Sequence, residues 1–208
     1  MTDMQSAVAL SRAEAEIPTP KTLSKSAAAI RTAFAEYGVE PAAAEEVAPA
    51  HALAMRLIGG PMASVPTIAR VHRETGAGLF VVRGQPGEIR GLLAFILLSR
   101  AGATAAVRDD FNALAPRLAY VARGAEEPAA IYSWAIVAVD KDAAQRLIQG
   151  HERLRHAAVA HLPFYCRLAT EQGRRLGIVR MGFKPLPGST TGIFWSEPKE
   201  QSLVEAAA

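Results

Sequence analysis

Two short segments of the chain place a tyrosine directly before a second group that can do chemistry. Tyr132 is followed by Ser133, and Tyr165 is followed by Cys166. A phenol can donate a proton, and a thiol can attack as a covalent nucleophile where a nearby base lowers its pKa. The alternative, favoured for Tyr165, is a core tyrosine with a hydrogen-bonded hydroxyl. The elements that carry these residues therefore decide their role.

The candidate bases are one carboxylate and three histidines. His151, His156 and His161 recur every five residues, which spreads them around a helix and opposes a shared metal site. We expect them to be solvated or core histidines, because only sequence proximity connects them with Cys166. Asp140 follows the apolar run IYSWAIVAV. It could act as a general base, and the favoured interpretation is that it caps the next helix.

Apolar runs and capping residues predict the elements that position these groups. Leu79 to Val82 and Ile89 to Ser99 surround the turn GQPG, which predicts an antiparallel hairpin. Ile131 to Val139 and Phe164 to Ala169 predict two further strands, each followed by a helix. The fold class is therefore α/β (α+β), a mixed and mainly antiparallel sheet with helices on both faces. The predicted helices begin near Ser24, Ala43, Val65, Asp109, Asp140 and Glu171, and two short strands follow at Phe183 to Leu186 and Gly192 to Trp195.

Length and composition indicate one globular domain. Of 208 residues, 50% are hydrophobic and 21% are charged, as in an ordinary globular protein. We expect a flexible arm over 1–20, a single domain over 21–198 and a tail over 199–208. The N-terminus lacks a basic region and a long apolar core, and the most apolar run, Gly91 to Ser99, is far shorter than a membrane span of about 20 residues. With Cys166 as its one cysteine, the chain is expected to be cytoplasmic and to hold no thiolate-rich metal site.

The position of the charge is more informative than the net charge of +3. Between Lys141 and Lys184 there are nine basic residues and three acidic ones. Predicted helices begin in this segment just after strands, and a helix N-terminus attracts anions. The segment therefore indicates either a site for a phosphorylated small molecule or a solvated helix face. Nucleic acid is not an expected partner, because no repeated aromatic side chains are available to stack on bases.

The order of elements is similar to that of the GNAT acyltransferase superfamily. The resemblance covers about 79–197 and rests on IYSWAIVAV and FYCRLAT with their helices, and on the ending RRLGIVRMGFKPL followed by GIFWSE. It implies transfer of an acetyl or other acyl group from acyl-CoA to an amine or hydroxyl, by direct attack in a ternary complex. The acceptor would be a small molecule or a peptide amine. Acetyl-CoA or another acyl-CoA would be the co-substrate, no metal would be needed, and the oligomeric state, a homodimer included, stays open.

The resemblance also implies where the co-substrate would bind. The strands Ile131 to Val139 and Phe164 to Ala169 would splay apart into a V-shaped opening. Pantetheine would pair with backbone groups there, and pyrophosphate would meet the start of the next helix. The implied contacts are Ile136, Val137, Val139, Asp142, Gln145 and Arg146.

Two departures from the family pattern keep other functions open. The segment DKDAAQRLIQGHERL lacks the family's phosphate-loop pattern, and Ile178 stands where the family commonly has a tyrosine that protonates the departing thiolate. Tyr165 could replace that acid, and Tyr132 and Asp140 are the other catalytic candidates. One alternative is a GNAT-like binding or regulatory module without activity. The other is an acyltransferase that uses long-chain or carrier-protein donors.

Overall fold

The computed structural model describes residues 22–199, and a seven-stranded sheet with helices on both faces runs through them. This confirms the fold class expected from the sequence. The helices in this range are α1 (Lys25–Ala35), α2 (Val47–Ile58), α3 (Val65–Thr75), α4 (Arg100–Val107), α5 (Lys141–Arg153) and α6 (Glu171–Arg174). The strands are β1 (Glu40–Pro41), β2 (Leu79–Arg83), β3 (Ile89–Leu98), β4 (Ala130–Ala138), β5 (Phe164–Arg167), β6 (Lys184–Pro185) and β7 (Ile193–Ser196). The arm expected over 1–20 and the tail from 200 onward lie outside the described residues.

The strand order is β1-β2-β3-β4-β5-β7-β6. All neighbouring pairs are antiparallel except β4 and β5, which are parallel. The hairpin expected around the turn GQPG is β2 and β3, with Leu79 opposite Ala94. A parallel pair requires a crossover connection, and α5 supplies it.

Both faces of the sheet are covered, which explains why its strands show little polar alternation. On the first face, α1 and α5 pack over inward-facing residues of β2 to β5 such as Phe80, Phe95 and Phe164. On the second face, α2, α3 and α4 pack over the alternate residues, such as Leu92 and Ile96. The central strands therefore lie in the core, and their side chains project toward one helix layer or the other.

A β-bulge interrupts the pairing of β3 with β4. Ala94 pairs with Ala135 and Phe95 with Ser133, so Trp134 is an extra residue on β4. Bulges bend the strand that carries them and occur frequently next to active sites. The bend in β4 thus lies in the middle of the sheet.

Helix α5 begins at the expected cap. The Asp140 carboxylate accepts a hydrogen bond from the Ala143 N–H, with 3.0 Å between oxygen and nitrogen. The helix passes into a π-helical turn over Leu154–Ala158. In the same way, α6 begins where it was expected, with Thr170 as its cap, and passes into a π-helical turn over Arg175–Arg180. Such turns occur frequently at functional sites.

Close packing of α1 against α5 explains Gly150. A Cβ atom at this position would lie 2.5 Å from the Cδ1 atom of Phe34. Real Cβ contacts are not that short, so the glycine permits the two helices to approach. Its place in the sequence reflects packing and not a phosphate loop.

The helix expected over 109–121 is wrong. The helix in this region is α4, which begins earlier because the Ser99 hydroxyl caps it by accepting the Gly102 N–H. It ends before Asp109, which has a φ of +59° that no helix allows. The carboxylate of Asp109 accepts hydrogen bonds from the 189–191 loop, and these hold its pKa well below the usual range. Tertiary contacts with that loop, invisible in the local sequence, override its helical pattern.

Candidate functional site

Strands β4 and β5 separate partway along their length. Their pairing includes three residue pairs and ends at Ser133 opposite Cys166. Strand β4 continues to Ala138, whereas β5 ends at Arg167. The bulge bends β4 at this point, and the chain after β5 turns into α6. The V-shaped opening implied by the family resemblance is therefore present, and we call this gap the opening.

The alternation of the antiparallel ladder determines which peptide groups of β4 face the opening. The Val139 N–H donates to the Arg90 carbonyl, with 2.8 Å between the two atoms. Because successive residues point their N–H and C=O groups to opposite sides, those of Val137 also face β3, and those of Ile136 and Ala138 face the opening. Of the three contacts expected on this strand, Ile136 is placed for pairing with a ligand. Val137 and Val139 are not, and Ala138 was missed.

Three neighbouring cavities meet at the opening. The first, which we call the groove, has a volume of about 550 Å³ and lies on the first face between α5 and α6, lined by Ile136, Ala138, Leu147 and Leu176. The second, the inner cavity, has a volume of about 130 Å³ and is lined by Ser133, His151 and Cys166. The third, the apolar cavity, has a volume of about 480 Å³ and lies on the second face, lined by Leu92, Tyr132, Trp134, Met62 and Ile68. Ile58, at the end of α2, lines all three.

The inner cavity contains buried polar groups without protein partners. The Ser133 hydroxyl and both ring nitrogens of His151 have no hydrogen-bond partner among residues 22–199. Burial, with a smaller effect of the Arg155 charge, lowers the pKa of His151 to about 3, so its ring is neutral at pH 7. Buried polar groups are usually hydrogen-bonded. The cavity therefore offers unused hydrogen-bonding capacity at the base of the opening.

The structure brings Cys166 and His151 to the same cavity, but not as a nucleophile and its base. Burial raises the pKa of the Cys166 thiol to about 12 while it lowers that of His151. A thiolate–imidazolium pair requires the opposite shifts. Covalent catalysis by Cys166 is therefore not favoured.

The two tyrosines lie on the second face of the sheet. Tyr132 lines the apolar cavity, and burial raises the pKa of its phenol above the usual range. Tyr165 packs in a cluster that includes Leu186 and Ile193, and it lines none of the three cavities at the opening. Burial raises its pKa as well. The structure thus places Tyr132, and not Tyr165, where a ligand could reach it.

Asp140 has structural partners on both oxygens. One oxygen accepts the Ala143 N–H, and the other accepts from Arg90 with 2.8 Å between oxygen and Nε. The hydrogen bond from Ala143 and the Arg90 charge hold the pKa of this carboxyl below its usual value. Asp140 is therefore a helix cap and a weak base, as the favoured interpretation of the sequence has it, and these contacts disfavour a catalytic role.

The start of α5 does not fit a phosphate group. The Asp140 carboxylate already occupies the position that an anion would take at the free N–H groups. Asp142 adds a second carboxylate, 3.7 Å from Arg90, and Gln145 is exposed. Arg146 donates to the Tyr37 and Gly38 carbonyls, which ties α5 to the end of α1. These contacts disfavour the expected phosphate contacts through Asp142 and Arg146.

Other arginines of the basic segment do reach the site. Arg175 and Arg180 line the groove, and Arg167 lines the inner and apolar cavities. Arg180 is 2.8 Å from Glu152, whereas Arg175 is exposed and has no ion-pair partner within the described part of the chain. Arg153, Lys184 and Arg146 are engaged elsewhere. The positive charge available to a ligand thus lies on the α6 side of the groove.

Several site residues were not found from the sequence. His151 was expected to be an ordinary solvated or core histidine, and nothing in its neighbours shows that it shares a cavity with Ser133. Ile58 and Leu176 are apolar positions of helical segments, where no sequence signal separates cavity lining from core. Their assignment depends on contacts between distant segments.

Neither a metal site nor a membrane span is found in the part of the chain that the structure describes. Within 22–199, no three metal-ligating side chains come together. In the same range, no helix has the length and apolar character needed to cross a bilayer.

Comparison with known proteins gives one structural similarity. No family model matches this chain, and no curated protein sequence matches it. The fold is similar to a crystal structure described as histone acetyltransferase HPA2 and related acetyltransferase from Corynebacterium glutamicum. The sequences are 15% identical, the TM-score is 0.43, and the match covers 79% of this chain and 98% of the other.

Proposed function

We propose that this chain is a divergent GNAT-like acyltransferase that moves an acetyl or other acyl group from an acyl-CoA thioester to an amine or hydroxyl acceptor. The observation that carries the proposal is the opening between β4 and β5. There the Ile136 and Ala138 peptide groups face a groove that leads to the inner cavity. An extended amide-bearing chain can pair with such a free strand edge. Pantetheine has this form, with a thiol at its end.

The cavities on the two faces suit the two substrates of such a reaction. The groove and the inner cavity would take the donor, with its thioester at the base of the opening. The apolar cavity on the opposite face would take the acceptor, a small molecule or a peptide amine. Both sides share Trp134, Ala135 and Arg167 as lining residues, so the two substrates would meet there.

The reaction is a direct transfer without an enzyme-bound intermediate. The acceptor's lone pair forms a bond to the carbonyl carbon, and the electron pair of the C=O bond moves to oxygen. When the oxyanion collapses, the C–S bond breaks and the electron pair leaves on sulfur. The proton lost by the acceptor ends on that sulfur, so the products are the acylated acceptor and free CoA thiol. Tyr132 is the described phenol that lines the acceptor side.

Two observations favour the alternative functions, an inactive binding module and an acyltransferase with long-chain or carrier-protein donors. The Asp140 carboxylate caps the start of α5, where the family's pyrophosphate would bind, and this favours a binding module without activity. The size and apolar lining of the cavity on the second face favour longer acyl chains or a carrier-protein donor.

The unpaired thiol of Cys166 suits a reducing compartment, and we propose a cytoplasmic location on that ground.

Binding and turnover separate these functions. We expect isothermal titration calorimetry to show binding of CoA and acetyl-CoA, and an amine panel followed by thiol release to show turnover. Binding without thiol release for any acceptor would support the inactive module. Tighter binding and faster turnover with long acyl chains would support the second alternative. No binding at millimolar CoA and acetyl-CoA would overturn the acyltransferase proposal.

Reversal of the charge at Arg175 will weaken CoA binding. Its exposed guanidinium lines the groove on the α6 side, where it can approach the phosphates of the donor. We expect Arg175→Glu to raise the Kd of CoA about tenfold, which corresponds to about 1.4 kcal/mol. The effect should diminish at high salt, because exposed charges are screened.

The matched control for this variant is Arg123→Glu. Arg123 is exposed and precedes the first residue of β4, at the end of the strand away from the opening. Arg123→Glu makes the same change in net charge as Arg175→Glu, and we expect its Kd for CoA to equal that of the wild type. Equal Kd values for the two variants would place the phosphates elsewhere.

A further inference from the structure

Two polar side chains without protein partners share the inner cavity at the base of the opening. Ser133 is the last residue of β4 that pairs with β5. His151 lies on α5 above it, fully buried, with its ring centroid 6.2 Å from that of Phe95 and 5.6 Å from that of Phe164. The Ser133 Oγ atom and both ring nitrogens of His151 are buried and lack partners among the described residues. Such groups are rare in native proteins, and each requires a reason.

The chemistry of these two groups specifies what could bind them. A neutral imidazole has one N–H donor, and the serine hydroxyl has one O–H donor. Two donors that line one small cavity suit a single acceptor oxygen. Cys166, which also lines the cavity, stays protonated because burial raises its pKa to about 12. The described lining of the cavity thus contains no carboxylate to repel an oxygen atom that gains negative charge.

The positive charge of Arg155, like that of Arg167 in the cavity lining, favours such an oxygen atom. The Arg155 guanidinium lies 5.5 Å from the centroid of the Phe164 ring, which itself packs against His151. Its positive field disfavours a charged imidazole and favours a developing anion. Preorganised donors in a buried site of this kind stabilise oxyanions without the cost of reorganising water.

We propose that the Ser133 hydroxyl and a ring N–H of His151 bind the thioester carbonyl oxygen of the acyl donor and stabilise the oxyanion formed from it. The inference rests on the proposed function. In the step that it concerns, the acceptor's lone pair attacks the carbonyl carbon and the C=O electron pair moves to the oxygen held by both donors. The C–S bond then breaks as that pair returns. Neither donor gives up its proton.

Turnover of four variants tests the roles of the two side chains. Removal of one oxyanion donor typically costs about 10²- to 10³-fold in kcat. We expect losses of this size for Ser133→Ala and for His151→Phe, with little change in the Kd of CoA, which lacks the carbonyl. Ser133→Thr, which keeps the hydroxyl, and His151→Gln, which keeps an N–H donor, should recover part of the activity. Arg123→Glu, which lies outside the three cavities and removes neither donor, should keep activity close to that of the wild type.

A spectroscopic readout separates binding of the carbonyl from structural support. We expect the ¹³C resonance of [1-¹³C]acetyl-CoA to move downfield on binding to the wild-type protein, because donors polarise the carbonyl. The shift should shrink in Ser133→Ala and His151→Phe and persist in Ser133→Thr. Thermal unfolding checks that each variant folds.

The outcomes distinguish this inference from the function on which it rests. Calorimetry on the same samples reports whether acetyl-CoA binds at all, and no binding overturns both. Binding without a downfield shift, or with an equal shift in wild type, Ser133→Ala and His151→Phe, overturns the oxyanion site and leaves the acyltransferase intact. A crystal structure of the acetyl-CoA complex in which water alone contacts Ser133 and His151 would also overturn it.

Discussion

Replacement of Ile136 by tryptophan will strongly weaken the binding of CoA while the protein stays folded. Ile136 is half-buried on the first face of β4 and lines both the groove and the inner cavity. An indole at this position would fill the passage that pantetheine must occupy. We expect the Kd of CoA to rise about 100-fold or more, equivalent to about 2.8 kcal/mol. Isothermal titration calorimetry measures the change.

The matched control is three residues further along the chain. Val139→Trp introduces the same side chain at a position that is 44% exposed and lines none of the three cavities. It should bind CoA like the wild type. The combined volume of the groove and the inner cavity accommodates a larger side chain at Ile136, so unfolding temperatures close to that of the wild type are expected. Leu176→Trp blocks the same passage from α6 and serves where Ile136→Trp fails to fold. CoA binding by folded Ile136→Trp and Leu176→Trp would place the donor outside the opening.

Replacement of Arg155 by methionine will destabilise the protein more than any surface arginine does. Arg155 is 7% exposed and lies in the π-helical turn that follows α5. Its guanidinium donates to the Met181 carbonyl and to the Ser196 hydroxyl, the latter with 2.7 Å between nitrogen and oxygen. It also lies 5.5 Å and 5.3 Å from the ring centroids of Phe164 and Phe183. One side chain thus connects the turn after the crossover helix, the residue that ends the π-helical turn after α6, and the last strand.

Opposing effects decide the size of the change. Burial lowers the pKa of Arg155, so loss of the charge recovers part of a desolvation cost. Against this gain, the variant loses two charge-assisted hydrogen bonds, worth about 1.5–3 kcal/mol each, and leaves their acceptors buried. The lost cation–π contacts add about 1 kcal/mol. We therefore expect the free energy of unfolding to fall by about 2–4 kcal/mol in urea denaturation.

Arg153→Met is the control on the adjacent helix. Arg153 and Glu36 form an ion pair of 3.2 Å whose side chains are 49% and 45% exposed. Pairs of this kind contribute less than about 1 kcal/mol. We expect a change below about 0.5 kcal/mol for this variant. Equal urea midpoints for the two variants would mean that Arg155 does not hold these three elements together.

Arg155 and Ile136 support the same inner cavity from different elements. Arg155 donates to the carbonyl of Met181, the residue after the π-helical turn Arg175–Arg180. Met181 in turn lines the inner cavity. Ile136 lies on β4 and lines the same cavity. A variant that loosens α6 should therefore also weaken CoA binding, in proportion to the stability that it loses.

Local sequence was sufficient for most of the elements because their signals are short-range. Asp140 caps its helix as expected, and the helices expected near Ser24 and Glu171 begin at the caps Ser24 and Thr170. Each of these side-chain oxygens accepts an N–H three residues later. The hairpin followed from two apolar runs around a Gly/Pro turn. The missed α4 has the sequence RAGATAAV, whose small residues carry a weak periodic pattern.

The candidate residues fared less well than the elements. Val139, Asp140 and Arg146 were chosen for their place near the start of α5, and each has a partner within the fold. Those partners, Arg90 and the residues Tyr37 and Gly38, lie about 50 to 110 residues away in sequence. A single sequence without its contacts contains no record of them. For the same reason the sequence does not single out His151. Its ring nitrogens are buried without a hydrogen-bond partner among the described residues, which only the structure shows.

By itself, the amino-acid sequence determined most of the strand and helix order, the cap at Asp140, and thus a mixed sheet covered on both faces. These features depend on side-chain periodicity and on hydrogen bonds over three or four residues. Only the tertiary structure decided that β4 and β5 part after Ser133, and that three cavities meet there. It also decided that the carboxylate of Asp140, which caps α5, pairs with Arg90. The physical reason is that a buried polar atom is either satisfied or available according to its neighbours in space, and those neighbours come from distant parts of the chain.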